Sequence, residues 1–126
     1  MRRIIIDTNM LLVPIQFKLD IFNQINQICT FNYDLCIVDK TITELDQIIQ
    51  QGKLLDRRAA RVAKLLVEQK KVKILDTTNT KADDAITELS KPGIIIATND
   101  RLLKQRAKQK GAQILTLRQK KYLMLE

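Results

Sequence analysis

Short runs of consecutive apolar, mostly β-branched residues alternate along this chain with amphipathic stretches, and no other feature restricts its fold so tightly. The runs predict strands at Arg3 to Ile6, Leu35 to Val38, Val72 to Leu75, Ile94 to Ala97 and Ile114 to Leu117. A strand that is apolar on successive residues is one covered on both faces, and such strands separated by helices make a parallel sheet between helical layers. The clearest helix follows Asp56, where Ala59, Val62, Ala63, Leu66 and Val67 recur at helical spacing while Arg57, Arg58, Arg61 and Lys64 face away. Further helices are expected from Pro14 to about Ile28, Thr41 to about Gln50, Lys81 to Ser90, and Asp100 to Lys110, the last ended by Gly111. The predicted fold is a three-layer α/β/α sandwich around a central, mainly parallel five-stranded sheet. It forms one domain over residues 1–126, a length sufficient for a core on each side of the sheet.

Ligands of an open parallel sheet bind just beyond the carboxyl ends of its strands, and this chain places acids there. Asp7 ends the first strand in Asp7-Thr8-Asn9, and Asp100 follows the fourth in Thr98-Asn99-Asp100. Glu44 falls early in the helix after the second strand, at the flank of the stripe made by Ile42, Leu45 and Ile49, and Asp83 and Asp84 open the helix after the third. Carboxylates sharing one pocket repel each other, and hard cations bound through oxygen, Mg²⁺ or Mn²⁺, are the natural compensation. One such ion generates hydroxide from bound water, and a pair about 3.5–4 Å apart also holds the leaving oxygen of a phosphoryl displacement.

Each acid also has a local explanation. Thr41-x-x-Glu44 matches a capping box and Thr80-x-x-Asp83 approximates one. Asp84 suits a helix dipole, Asp100 or Asn99 an N-cap, and Asp7-Thr8-Asn9 a polar turn. Asp7 fits its local role least well, because it directly follows three buried Ile, where an unpaired carboxylate is costly.

The chain has no histidine, which removes Ser-His-Asp and Cys-His systems and any imidazole acid/base pair. A hydrolase built on it must work with carboxylates and metal. Its net charge of +8 points to a polyanionic partner, RNA or DNA ahead of an anionic membrane surface. Aromatics are 4% of residues, too few for a base-stacking platform, so phosphate contacts must supply the affinity. Arg101, Lys104 and Lys108 share one face of the helix after Asp100, while Arg118, Lys120 and Lys121 form a basic tail, and both groups are candidate RNA contacts. The Arg57, Arg58, Arg61 and Lys64 cluster reads as a solvated helix face. Cys29 and Cys36 match neither a redox pair nor a zinc spacing and are expected to be buried thiols. The apolar runs are too short to span a bilayer or to serve as a signal peptide, so no membrane association and a cytoplasmic location are expected. There is no Gly-x-Gly-x-x-Gly and no Walker motif, and Asn9 stands where a haloacid-dehalogenase-like phosphatase needs a second Asp.

In order and spacing, Asp7-Thr8-Asn9, Thr41-x-x-Glu44-Leu45, Asp83-x-x-Ile86 and Thr98-Asn99-Asp100 resemble the acidic motifs of PIN-domain nucleases, nearly end to end. Within that family the doubled acid in Ala82-Asp83-Asp84 and the ending Leu117-Arg118-Gln119-Lys120-Lys121-Tyr122 look closest to the archaeal and eukaryotic ribosomal-RNA-processing branch, with VapC-type toxins as other relatives. The resemblance implies a metal-dependent endoribonuclease acting on an rRNA precursor. Its metal-site carboxylates would be Asp7, Glu44, Asp100 and Asp83 or Asp84, with Asp83 preferred because Ile86 follows at the family's spacing. Thr8, Asn9 and Thr98 would be the hydrogen-bonders behind them. It also implies a homodimer, for which the Leu-rich helix pair offers surface, and an antitoxin partner if the toxin reading holds. A non-catalytic RNA-binding or ribosome-assembly protein of the same fold is the rival.

Overall fold

A computed structural model describes residues 1–126. Six strands and six helices follow one another as β1 (Arg2–Ile6), α1 (Thr8–Gln16), α2 (Ile21–Ile28), β2 (Tyr33–Val38), α3 (Asp39–Gln51), α4 (Leu54–Gln69), β3 (Lys73–Leu75), α5 (Ala82–Leu89), β4 (Ile94–Ala97), α6 (Arg101–Gln109), β5 (Gln113–Arg118) and β6 (Tyr122–Leu125). The strands form one sheet in the order β3-β2-β1-β4-β5-β6, parallel except for the β5–β6 pair.

Alternation along the strands explains their unbroken apolarity. Ile4 and Ile6 point into the larger core with Ile37, Ile95 and Leu115, against Leu11, Ile25, Leu45 and Ala63 of α1 to α4. Ile5 points the other way, with Val38, Ile96 and Ile114, against Ala85 and Ile86 of α5 and Leu103 and Ala107 of α6. Helices connecting strands in one direction thus cover one face and those connecting them in the other direction cover the opposite face, as right-handed crossovers require. Successive strands are added to one side of β1 as far as β3 and to the other side from β4 onward, and the crevice at such a switch point is where an open sheet binds its ligand.

The sheet has six strands rather than the five expected, because the basic stretch after Leu117 is a hairpin and not a tail. Its turn uses Gln119 and Lys120 at φ 53° and 56°, left-handed positions filled without the glycine or asparagine that announces such turns in sequence. Gln24 of α2 accepts the Leu123 N–H at 2.6 Å, so an outward donor of edge strand β6 is occupied. The helix expected from Pro14 to Ile28 is instead two. Asp7 starts α1 seven residues earlier, Pro14 lies inside it, and Lys18 at φ 52° precedes Asp20, which caps α2 through the Asn23 N–H at 3.1 Å. Both cysteines are buried and free, and no helix is long and apolar enough to cross a membrane.

Candidate functional site

Four strand-to-helix junctions meet at the switch point in a cleft of about 560 Å³. Asp7, Thr8, Asn9, Glu44, Asp83 and Asp100 line it, together with Gln47, Ile48, Gln51, Gly52 and Lys81. Asp7 is fixed by the sheet itself. Its N–H donates to the Ala97 carbonyl at 2.9 Å, and the Thr98 N–H donates to Leu115 at 3.0 Å, so the strand ladders run on into the cleft wall. The Asp7 carboxylate caps α1 by accepting the Thr8 N–H at 2.9 Å, and it accepts the Thr98 hydroxyl at 2.8 Å. That same Thr98 oxygen accepts the Asp100 N–H at 3.0 Å, tying the first and last motifs together. Asp100 caps α6 through the Leu103 N–H at 3.0 Å and still lines the cleft.

Burial pushes the Asp7 carboxyl up from 3.8 to about 6; Glu44 and Asp100 repel its charge further, while the Thr98 and Thr8 bonds oppose the rise. No lysine or arginine lies within ion-pair distance of Asp7, Glu44 or Asp100, since every ion pair of the molecule forms elsewhere. An all-oxygen donor set with uncompensated charge fits a hard divalent cation. No three of these acids stand close enough, as oriented, to hold one ion: they share a cleft rather than a formed ligand shell.

The capping boxes are not formed. Helix α3 begins at Asp39 with Val38 as its cap, so Thr41 and Glu44 lie inside it. The Thr41 hydroxyl is buried without a partner, and Glu44 reaches across to accept the Thr8 hydroxyl. Helix α5 is capped at Lys81 with no side-chain bond, and Asp83 accepts the N–H of Asp84 at 3.0 Å. The doubled acid divides between two environments. Asp83 lines the cleft, whereas Asp84 lies outside it and pairs with Arg106 at 2.9 Å.

The basic residues fall away from the cleft. None of Arg101, Lys104, Lys108, Arg118, Lys120 or Lys121 lines it. Lys108 and Arg118 hold Glu126 at 2.7 and 3.0 Å, Lys120 sits over the Phe17 ring at 5.6 Å, and Arg101 and Lys121 are exposed. Burial draws the Lys104 ammonium below its ordinary range, and it donates to Thr116. The cation that does line the cleft, Lys81, was not singled out in the sequence, although its place two residues before Asp83 at a strand-to-helix junction was the available signal. Gln47 and Gln51 carried none beyond helical spacing from Glu44.

Residues 4–120 match the family model described as PIN like domain. Ribonuclease VapC4 of Methanocaldococcus jannaschii is 28% identical over 124 residues, covering 97% of this chain and 95% of that protein. Ribonuclease VapC9 of Archaeoglobus fulgidus is 28% identical over 123 residues, covering 97% and 87%. Among solved structures, the PIN domain endonuclease Utp24 matches with a TM-score of 0.79 at 27% identity, over 98% of this chain and 90% of that one. VapBC-1 from nontypeable Haemophilus influenzae matches with a TM-score of 0.59 at 15% identity, over 89% and 97%, a likeness of fold alone.

Proposed function

The chain belongs to the PIN-like domain family, and from that membership we propose that it is a divalent-metal-dependent endoribonuclease. The observation that carries this reading is the gathering of Asp7, Glu44, Asp83 and Asp100, distant in sequence, along one cleft where three of them have no cationic partner. Those four carboxylates would hold Mg²⁺ or Mn²⁺. When bound, the ion supplies a water acidic enough to attack phosphorus and a positive charge for the leaving oxygen. Around it, Thr98 orients the Asp7 carboxylate and Thr8 holds Glu44, so both point into the cleft. Lys81 offers a phosphate contact inside the cleft, and Arg101, at the start of α6 beside Asp100, offers one at its rim.

As substrate we favour an rRNA precursor, on the doubled acid Asp83-Asp84 and the ending Leu117-Arg118-Gln119-Lys120-Lys121-Tyr122 noted in the sequence and on the extended match to the endonuclease Utp24. The relatives named ribonuclease VapC keep a toxin reading in play, with a dedicated protein antitoxin as its partner. Exposed Leu54, Leu55 and Leu65 on α4 would serve a homodimer in either case. The test is cleavage of structured and single-stranded RNA by the wild type and Asp7→Asn, with Mn²⁺ or EDTA. Loss of cleavage in the variant and in EDTA, with the fold retained, is expected. Full activity in the metal-free enzyme overturns the proposal, and an RNA left intact under all conditions favours the non-catalytic binding protein.

A further inference from the structure

Two adjacent carboxylates on α5 share one guanidinium. Arg106 of α6 donates through Nη2 to Asp84 Oδ1 at 2.9 Å, while its Nη1 stands 3.8 Å from Asp83 Oδ2. The first contact is a hydrogen-bonded ion pair; the second is a longer charge contact without a hydrogen bond. Asp83 lines the acidic cleft and Asp84 does not, so Arg106 lies between an acid of the site and an acid behind it and is bonded to the one behind. An arginine fork takes a carboxylate on two parallel N–H groups wherever geometry allows, and Asp83 is within reach of it. A guanidinium fully engaged by Asp83 would cancel the charge that a divalent cation needs there.

We infer that Asp84 is a positioning residue that keeps Arg106 off Asp83, leaving the Asp83 carboxylate for the metal. The inference rests on the metal-dependent reading above. It gives the doubled acid a division of labour in which one carboxylate serves the cleft and its neighbour occupies the competing cation. Both acids and Arg106 are half-exposed on helices whose buried faces are made by other residues, so their substitution leaves the core intact.

The test is Mn²⁺ binding followed by calorimetry and by the spin resonance of free Mn²⁺, on the wild type, Asp84→Asn, Arg106→Gln and the double variant, each checked by thermal melting. Freed from Asp84, Arg106 closes on Asp83, and Asp84→Asn is expected to weaken Mn²⁺ binding roughly tenfold, the lower end of what groups behind metal ligands contribute. Arg106→Gln alone binds at least as tightly as the wild type, and the double variant recovers the affinity that Asp84→Asn lost. A pair that merely ties α5 to α6 gives the opposite pattern, with both single variants weakened alike and no recovery. A ligating role for Asp84 likewise allows no recovery. Either pattern, or unchanged binding in Asp84→Asn, overturns the inference while leaving the metal reading in place. A wild type that takes up no Mn²⁺ overturns both.

Discussion

Asp7 and Asp39 are built from the same parts and behave in opposite ways. Each directly follows a strand, accepts a threonine hydroxyl from a neighbouring segment, and accepts a backbone N–H from the residue after it. Asp7 is 7% exposed with no cation beside it, and burial drives its carboxyl up to about 6. Asp39 is partly exposed with Lys40 at 3.5 Å, and the Thr77 hydroxyl, at 2.6 Å, holds its carboxyl below the usual range. Hydrogen bonds alone therefore do not make a site. What distinguishes Asp7 is desolvated charge with no protein cation to answer it, a strained arrangement that stabilises nothing unless something is bound.

The largest test of that contrast is catalytic. Asp7→Asn should lower RNA cleavage by roughly a thousandfold or more, as loss of a central catalytic group does, while Asp39→Asn leaves the rate close to wild type. Single-turnover cleavage of one RNA by both variants measures the difference, and equal losses would dissolve the distinction.

Stability against pH gives the next effect, and the signs are opposite. A carboxyl raised from 3.8 to about 6 contributes stability below the unfolded value and loses it as pH climbs through the folded one, an effect of about 3 kcal/mol for Asp7. In EDTA, Asp7→Asn should therefore melt higher than the wild type at pH 8 and converge with it near pH 4. The lowered Asp39 carboxyl contributes above the unfolded value and loses that contribution as pH falls through the folded one, so Asp39→Asn should be the less stable protein at neutral pH. Denaturant midpoints from pH 3 to pH 8 read both slopes.

Smaller effects come from the threonines. Thr98→Val, nearly isosteric and fully buried, removes the bond that orients Asp7 and should slow cleavage by about tenfold to a hundredfold, with Asp7 titrating higher still. Thr77→Val should lower the melting temperature and leave the rate alone. The smallest change is expected from Lys40→Ala, since solvent screens this pair at 3.5 Å and it stands outside the cleft.

Much of this was legible in the chain because burial on both faces writes itself into consecutive residues, as in Ile4-Ile5-Ile6 and Ile94-Ile95-Ile96. The acids Asp7, Glu44, Asp83 and Asp100 were legible because their positions follow from those strands. Helix starts were harder. Thr41-x-x-Glu44 has the spacing of a capping box, yet the chain turns directly from Val38 into α3, and a local pattern does not fix where the preceding strand stops. Helix α1 was obscured because Met10, Leu11, Leu12 and Val13 are all buried and give no polar face, with Pro14 suggesting a beginning where there is a middle. The contacts of Arg106 and the turning of Asp39 towards Thr77 join separate elements, and one-dimensional spacing carries no trace of them.

The extension of the ladders through the Asp7 and Thr98 amides has a consequence for motion. Those two N–H groups should exchange with deuterium as slowly as the central strands, because releasing either means opening the middle of the sheet. The acidic cleft is thus anchored to the most persistent part of the molecule, whereas Lys81, Arg101 and Lys121 ride on exposed surface outside that frame.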